Sequence, residues 1–265
     1  RLDSLWLALN MTRRVTSMVE RPWWRSLFDL AVENVLVNAS EGLSARPSMS
    51  LFPVFFALGV LDSAAQAETQ HGVLLAKDVM NALEFACAND FEFSGMNVAG
   101  LSAGCLVALV GRNEGGHTLS REAVSAVVET LQRYFQADSF FSVGSAKTVL
   151  GHLRRVVSMA ISDANKRLML QCDGLVDTLV QCLLLDADNK RRTQDCGDKL
   201  QEAAAGTMHQ LALFGPWAMA LKAHSGAVTS LRKLLDVGTK EAKESATAAL
   251  FALEDETRAA VATAD

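Results

Sequence analysis

The chain has 265 residues, half of them hydrophobic and only 6% aromatic, and its 25 basic and 30 acidic side chains give a formal charge of -5. That much apolar material builds a large aliphatic core and excludes an intrinsically disordered chain. The acidic balance argues against general binding to nucleic acid or to an anionic membrane surface.

The five cysteines, Cys87, Cys105, Cys172, Cys182 and Cys196, are odd in number and include no CxxC pair. Such usage is expected of reduced thiols in an intracellular, cytoplasmic protein. The chain starts at Arg1 without methionine and without a signal-peptide pattern, so the true N-terminus is expected to be missing.

In chain order, a first helix is expected over 2–19 and is interrupted by Pro22. Trp23 and Trp24 open the next, which runs to about 38; the two rings read either as end-cap core or as an exposed anchor for a partner. The longest apolar run, 51–61, contains Pro53 and is too short for a bilayer core of about 30 Å, so it reads as a buried helix. Helices are then expected over 72–88 and 96–110, joined through Phe91 and Phe93. Another pair spans 120–136, with Ser120 as N-cap, and 145–161, joined through Phe140 and Phe141. These phenylalanines are expected to fold back as plugs between units, the alternative being an exposed binding edge.

From residue 163 onward the helices are short: 165–171, 175–185, the charged insertion DADNKRRTQDCGD, 199–213, and a helix started by Gly215-Pro216. The stretch 225–254 is a pair of amphipathic helices around a Gly-Thr break. Val228, Leu231, Leu234 and Leu235 share a face of the first. Ala242, Ala246, Ala249, Leu250 and Leu253 line the second, where mostly small side chains let neighbouring helices approach closely. The residues 256–264 read as the first helix of yet another unit.

The pattern repeats. Ala39, Ala88, Ala137 and Ala187 recur about every 49 to 50 residues, each beginning an Ala-polar-polar step after an apolar run, and Leu36, Phe85, Tyr134, Leu184 and Leu234 keep the same interval. A period held through different local sequence implies one supersecondary unit stacked on its neighbours.

The pair at 225–254 resembles the second and third helices of an armadillo repeat, and its GTKEAKESATAALFAL run looks most like the repeats of plant U-box ubiquitin ligases. The resemblance implies an all-α fold, a right-handed superhelical solenoid of stacked armadillo- or HEAT-like repeats. It implies one domain with approximate units 1–62, 63–113, 114–162, 163–214 and 215–254 and a partial repeat over 255–265. It also implies a concave groove lined by the third helix of each repeat. Nuclear-import adaptors of that family place Trp and Asn four residues apart there. The corresponding pairs here are Arg154 with Ser158, Gly206 with Gln210, and Ala248 with Ala252, so recognition of a basic localisation signal is not expected.

Lys147, Arg154 and Arg155 instead give one third helix a basic face, with Lys190, Arg191 and Arg192 in the following connection. An acidic or phosphorylated protein segment suits such a face, since arginine forks match carboxylate and phosphate; the alternative is a solvated face. Gly206, Ala248 and Ala252 make either a shallow floor for a partner's helix or close packing within the chain.

Little here points to catalysis. His71, His117, His152, His209 and His224 are scattered, no HExxH or zinc spacing occurs, and neither metal nor cofactor is expected. GLSAG at 100–104 spells GxSxG around Ser102, but a nucleophile elbow needs a strand before the serine and a helix after it, and no alternating strand and helix pattern surrounds it. The expected role is therefore a non-enzymatic protein-interaction scaffold or assembly subunit, inserted in no membrane. The alternative is a substrate-recognition or regulatory region of a larger enzyme such as a ubiquitin ligase.

Overall fold

The computed structural model describes residues 57–59, 61, 62, 65, 71–75, 77–88, 92, 93, 96–111, 118–137, 144–186 and 189–262. The expectations for 2–19, Trp23, Trp24, Phe91, Phe140 and Phe141 lie outside the described residues. Among the described residues the protein is helical apart from one two-residue ladder. The chain divides into two compact units, Arg1–Val127 and Val128–Asp265, with the boundary inside one helix.

The first unit holds α1 (His71–Leu74), α2 (Lys77–Cys87), β1 (Glu92–Phe93), β2 (Met96–Asn97), α3 (Val98–Val110) and the start of α4 (Arg121–Gln136). Ser120 caps α4 as expected, its Oγ accepting from the Ala123 N–H at 3.2 Å. The helix VAGLSAGCLVALV has no charged residue and is buried nearly all round, as a helix without a polar face must be. It packs against α2. Within the apolar run at 51–61, Ala57, Leu58 and Leu61 are helical and buried. The Cys105 thiol donates to the Leu58 carbonyl at 3.7 Å.

Two expected boundaries are corrected here. The helix expected from 96 begins at Val98, because Met96 and Asn97 pair antiparallel with Phe93 and Glu92. Ser94 and Gly95, which separate the paired residues, are turn formers. The helix expected over 72–88 is split into α1 and α2.

The second unit continues with α5 (Ala146–Met159), α6 (Asp163–Met169), α7 (Leu175–Cys182), a 3-10 turn (Lys190–Thr193), α8 (Gly197–Ala212), α9 (Gly215–Ala223), α10 (Ala227–Val237) and α11 (Lys240–Ala262). Ser145 caps α5 by accepting from the Thr148 N–H, and Pro216 sits in the first turn of α9, where a missing N–H is harmless. At the centre stands α8, packed against α5 and α11 and touching α7, α9 and the 3-10 turn. Leu200, Ala204, Ala205, Met208, Leu211 and Ala212 of α8 are buried. Ala242, Ala246, Ala249 and Leu253 of α11 are buried as well, whereas Leu250 is half-buried. Those three alanines let α11 lie close to its neighbours.

The separate helix expected at 256–264 is absent, since α11 runs unbroken to Ala262. No Gly or Pro interrupts EDETRAAVA, so nothing local stops the helix.

Polar bonds in this unit join residues roughly one sequence period apart. The Trp217 indole N–H donates to the Lys166 carbonyl at 2.7 Å, and Gln194 Oε1 accepts from the Ala146 N–H at 2.8 Å. Gln201 spans shorter separations, donating to the Leu183 carbonyl at 2.6 Å, 18 residues away, and accepting from the Thr239 N–H at 3.2 Å, 38 residues away. Of the residues carrying the period, Tyr134 and Leu234 lie in the last turns of α4 and α10, and Leu184 lies two residues past α7.

Candidate interaction surface

The helices α5, α8 and α11 carry all the residues read from the sequence as a binding face. Lys147, Arg154, Arg155 and Ser158 stand on α5, Gly206 and Gln210 on α8, and Ala248 and Ala252 on α11. Because α8 packs between the other two, the three sets lie on adjoining elements. Lys147 and Arg154 are exposed; the other six are half-buried.

On α8 and its C-cap the residues that are not buried include Lys199, Glu202, Ala203, Gly206, Gln210 and Leu213, the last being the cap, spaced three and four apart as one open stripe. A Cβ added at Gly206 would meet only Ser245 Oγ, at 3.9 Å, which is ordinary contact. Close approach of α11 therefore does not by itself require glycine there.

The basic residues have unlike environments. Arg155 Nη1 lies 3.5 Å from His152 Nδ1, and the His152 ring stacks on Tyr134 of α4 with centroids 4.2 Å apart. Burial, and then the Arg155 charge, push His152 down to about 3, so the ring is neutral at pH 7. Lys147 and Arg154, by contrast, make no hydrogen bond or ion pair with any described residue.

Arg191 does not join them, which corrects its place in a basic run beside α5. Its side chain is buried, with Nε donating to the Gly144 carbonyl at 2.7 Å and Nη2 to Phe135 and Ala137 carbonyls at 2.6 and 2.9 Å. The guanidinium also lies 4.4 Å from the Phe135 ring centroid. It thus ties the 3-10 turn to the end of α4 and the start of α5. Nothing in KRRT distinguishes this cation from its neighbours; the one local signal is Asn189, whose Oδ1 accepts from the Arg191 N–H at 3.0 Å and shapes the turn. The turn in turn constrains α8, for a Cβ at Gly197 would lie 2.5 Å from the Arg191 carbonyl oxygen.

Trp217 is a second residue whose importance the sequence did not signal, buried on α9 with its N–H satisfied by α6.

His224 is engaged and Ser102 is enclosed. His224 Nε2 lies 2.9 Å from Asp177 Oδ1 while Nδ1 accepts from the Gly226 N–H at 3.2 Å, so both ring nitrogens are occupied. Ser102 lies inside α3, fully buried, and its hydroxyl has no hydrogen-bond partner among the described residues. It is not on a strand-to-helix elbow. Among the described residues no group of three or more His, Cys, Asp or Glu is placed to hold a metal ion. All five cysteines are free thiols; burial pushes Cys182 up to about 12 against the opposing charge of Arg191, and also raises Cys87. No helix among the described residues is long and apolar enough to cross a membrane.

Searches of protein families and of curated proteins found no match to the chain.

Proposed function

We propose that this chain is a non-enzymatic interaction scaffold, a right-handed armadillo-like solenoid that receives a segment of a partner protein across α5, α8 and α11 as part of a larger assembly. The observation that carries the reading is the open stripe on α8, which packs against α5, the bearer of Arg154 and Ser158, and against α11, the bearer of Ala248 and Ala252. The bonds joining residues about one period apart, Trp217 to Lys166 and Gln194 to Ala146, support the stacked-repeat part of it. The helix-break-helix at Ala227–Val237 and Lys240–Ala262, whose sequence resembles the plant U-box ligase repeats, favours a second reading as the recognition region of a larger enzyme. That region would use the same face.

Site-specific photocrosslinking in native cells tests the surface. A benzoylphenylalanine at Ser158, Gln210 or Ala252 is expected to capture one common set of proteins, whereas the same probe at exposed Arg232 or Lys233 of α10 captures none of them. Equal capture from both faces would overturn the assignment.

A further inference from the structure

The α5 sequence AKTVLGHLRRVVSM contains no acidic residue. Lys147, Gly151, Arg154 and Ser158 follow at i, i+4, i+7 and i+11, which puts them on one stripe of the helix. Lys147 and Arg154 are exposed and pair with no described residue, so among the described residues two cations of an otherwise acidic chain have no counter-charge on this stripe. Between them Gly151 is exposed, and a Cβ built there meets nothing within 4 Å. Glycine in mid-helix is destabilising relative to alanine, and no neighbour among the described residues asks for it here. What a glycine uniquely permits at an exposed helical position is close approach of another backbone.

We propose that Lys147, Gly151 and Arg154 form a docking track for an acidic segment of another protein, whose carboxylates pair with the two cations while its main chain crosses Gly151. This deepens the scaffold reading and rests on it, naming the chemistry of the partner at the α5 edge of the surface. The two cations are seven residues apart, roughly 10 Å along the axis at about 1.5 Å per residue. Every third side chain of an extended chain, at about 3.1 Å per residue, has nearly that spacing. The track is short and carries two exposed cations, and the chain is acidic as a whole, which favours a peptide over a nucleic-acid backbone that needs many phosphate contacts.

Fluorescence anisotropy with the purified full chain at low salt tests this. The probes are a labelled peptide of repeating Glu-Ser-Ser, its Gln-Ser-Ser counterpart, and a single-stranded oligothymidylate of the same net charge. The expected result is that the Glu peptide binds at least about tenfold more tightly than the Gln peptide, as paired charges require. The Lys147→Gln, Arg154→Gln double variant abolishes that difference. The Gly151→Gln variant, which keeps both charges and gains helix propensity, weakens the Glu peptide at least about fivefold while unfolding at the same temperature as the parent chain or higher.

Glu and Gln peptides binding alike would overturn the proposal. So would oligothymidylate binding as well as the Glu peptide with no effect of Gly151→Gln, which would leave only a general anion patch. Crosslinking from Gln210 and Ala252 alongside either of those outcomes would leave the scaffold reading standing and remove this one alone.

Discussion

Arg191 decides more of the local structure than any of the cations that surround it. A buried guanidinium is tolerated only when its donors are satisfied, and here Gly144, Phe135 and Ala137 present three carbonyls while Phe135 covers its face. Charge-assisted bonds of this kind contribute about 1.5–3 kcal/mol each when taken singly and add up imperfectly. Arg191→Lys keeps the charge but cannot reproduce the fork, so urea unfolding is expected to show a loss of about 2–4 kcal/mol. A loss below roughly 0.5 kcal/mol, the range of ordinary surface substitutions, would mean that the bonds matter little in solution. Residue type showed that three cations stood together at 190–192; it did not show which of them turns inward, because the carbonyls that receive it are 47 to 56 residues away.

At the scale of elements, local patterning did much of the work. The spacing of Ala242, Ala246, Ala249 and Leu253 identified the buried face of α11, and that of Leu231 and Leu234 the buried face of α10. Termini were less legible. The end of α11 and the start of α3 depend on whether a competing structure is available, and at Met96 and Asn97 a paired strand was. Glycines show the same division between what a sequence signals and what a neighbour imposes. Gly206→Ala adds a methyl group in ordinary contact with Ser245, so thermal or urea unfolding is expected to show a gain of about 0.5–1 kcal/mol from helix propensity. Gly197→Ala should do the opposite, since the new Cβ would press against the backbone of the 3-10 turn. Destabilisation by Gly206→Ala would show that α11 sits closer to α8 than the 3.9 Å contact allows.

For the molecule as a whole, the most direct consequence is in the dependence of stability on pH. His152 is buried against Tyr134 with Arg155 beside it, and its folded pKa is depressed from 6.5 to about 3. Between those values the unfolded chain binds this proton and the folded chain does not, so this contribution to stability rises with pH through that window. Acidification from about pH 6.5 toward 3 removes it, and above 6.5 it is fully present. His152→Phe keeps a ring against Tyr134 and removes the titration, so the fall in unfolding free energy between pH 7 and pH 5 should be smaller in the variant. Equal falls in the two proteins would show that His152 protonates freely while folded.

The sequence by itself determined the helical class, most of the residues that α10 and α11 bury, and the cap at Ser120. Each follows from side-chain period or from a residue's bonding to its own backbone, interactions that reach only a few residues along the chain. Only the tertiary structure decided that α8 is the central helix, that Arg191 and Trp217 serve the interior, that Arg155 lies against His152, and that Lys147 and Arg154 are exposed and pair with no described residue. Those outcomes depend on which groups from distant segments meet and on what burial costs a charge without partners.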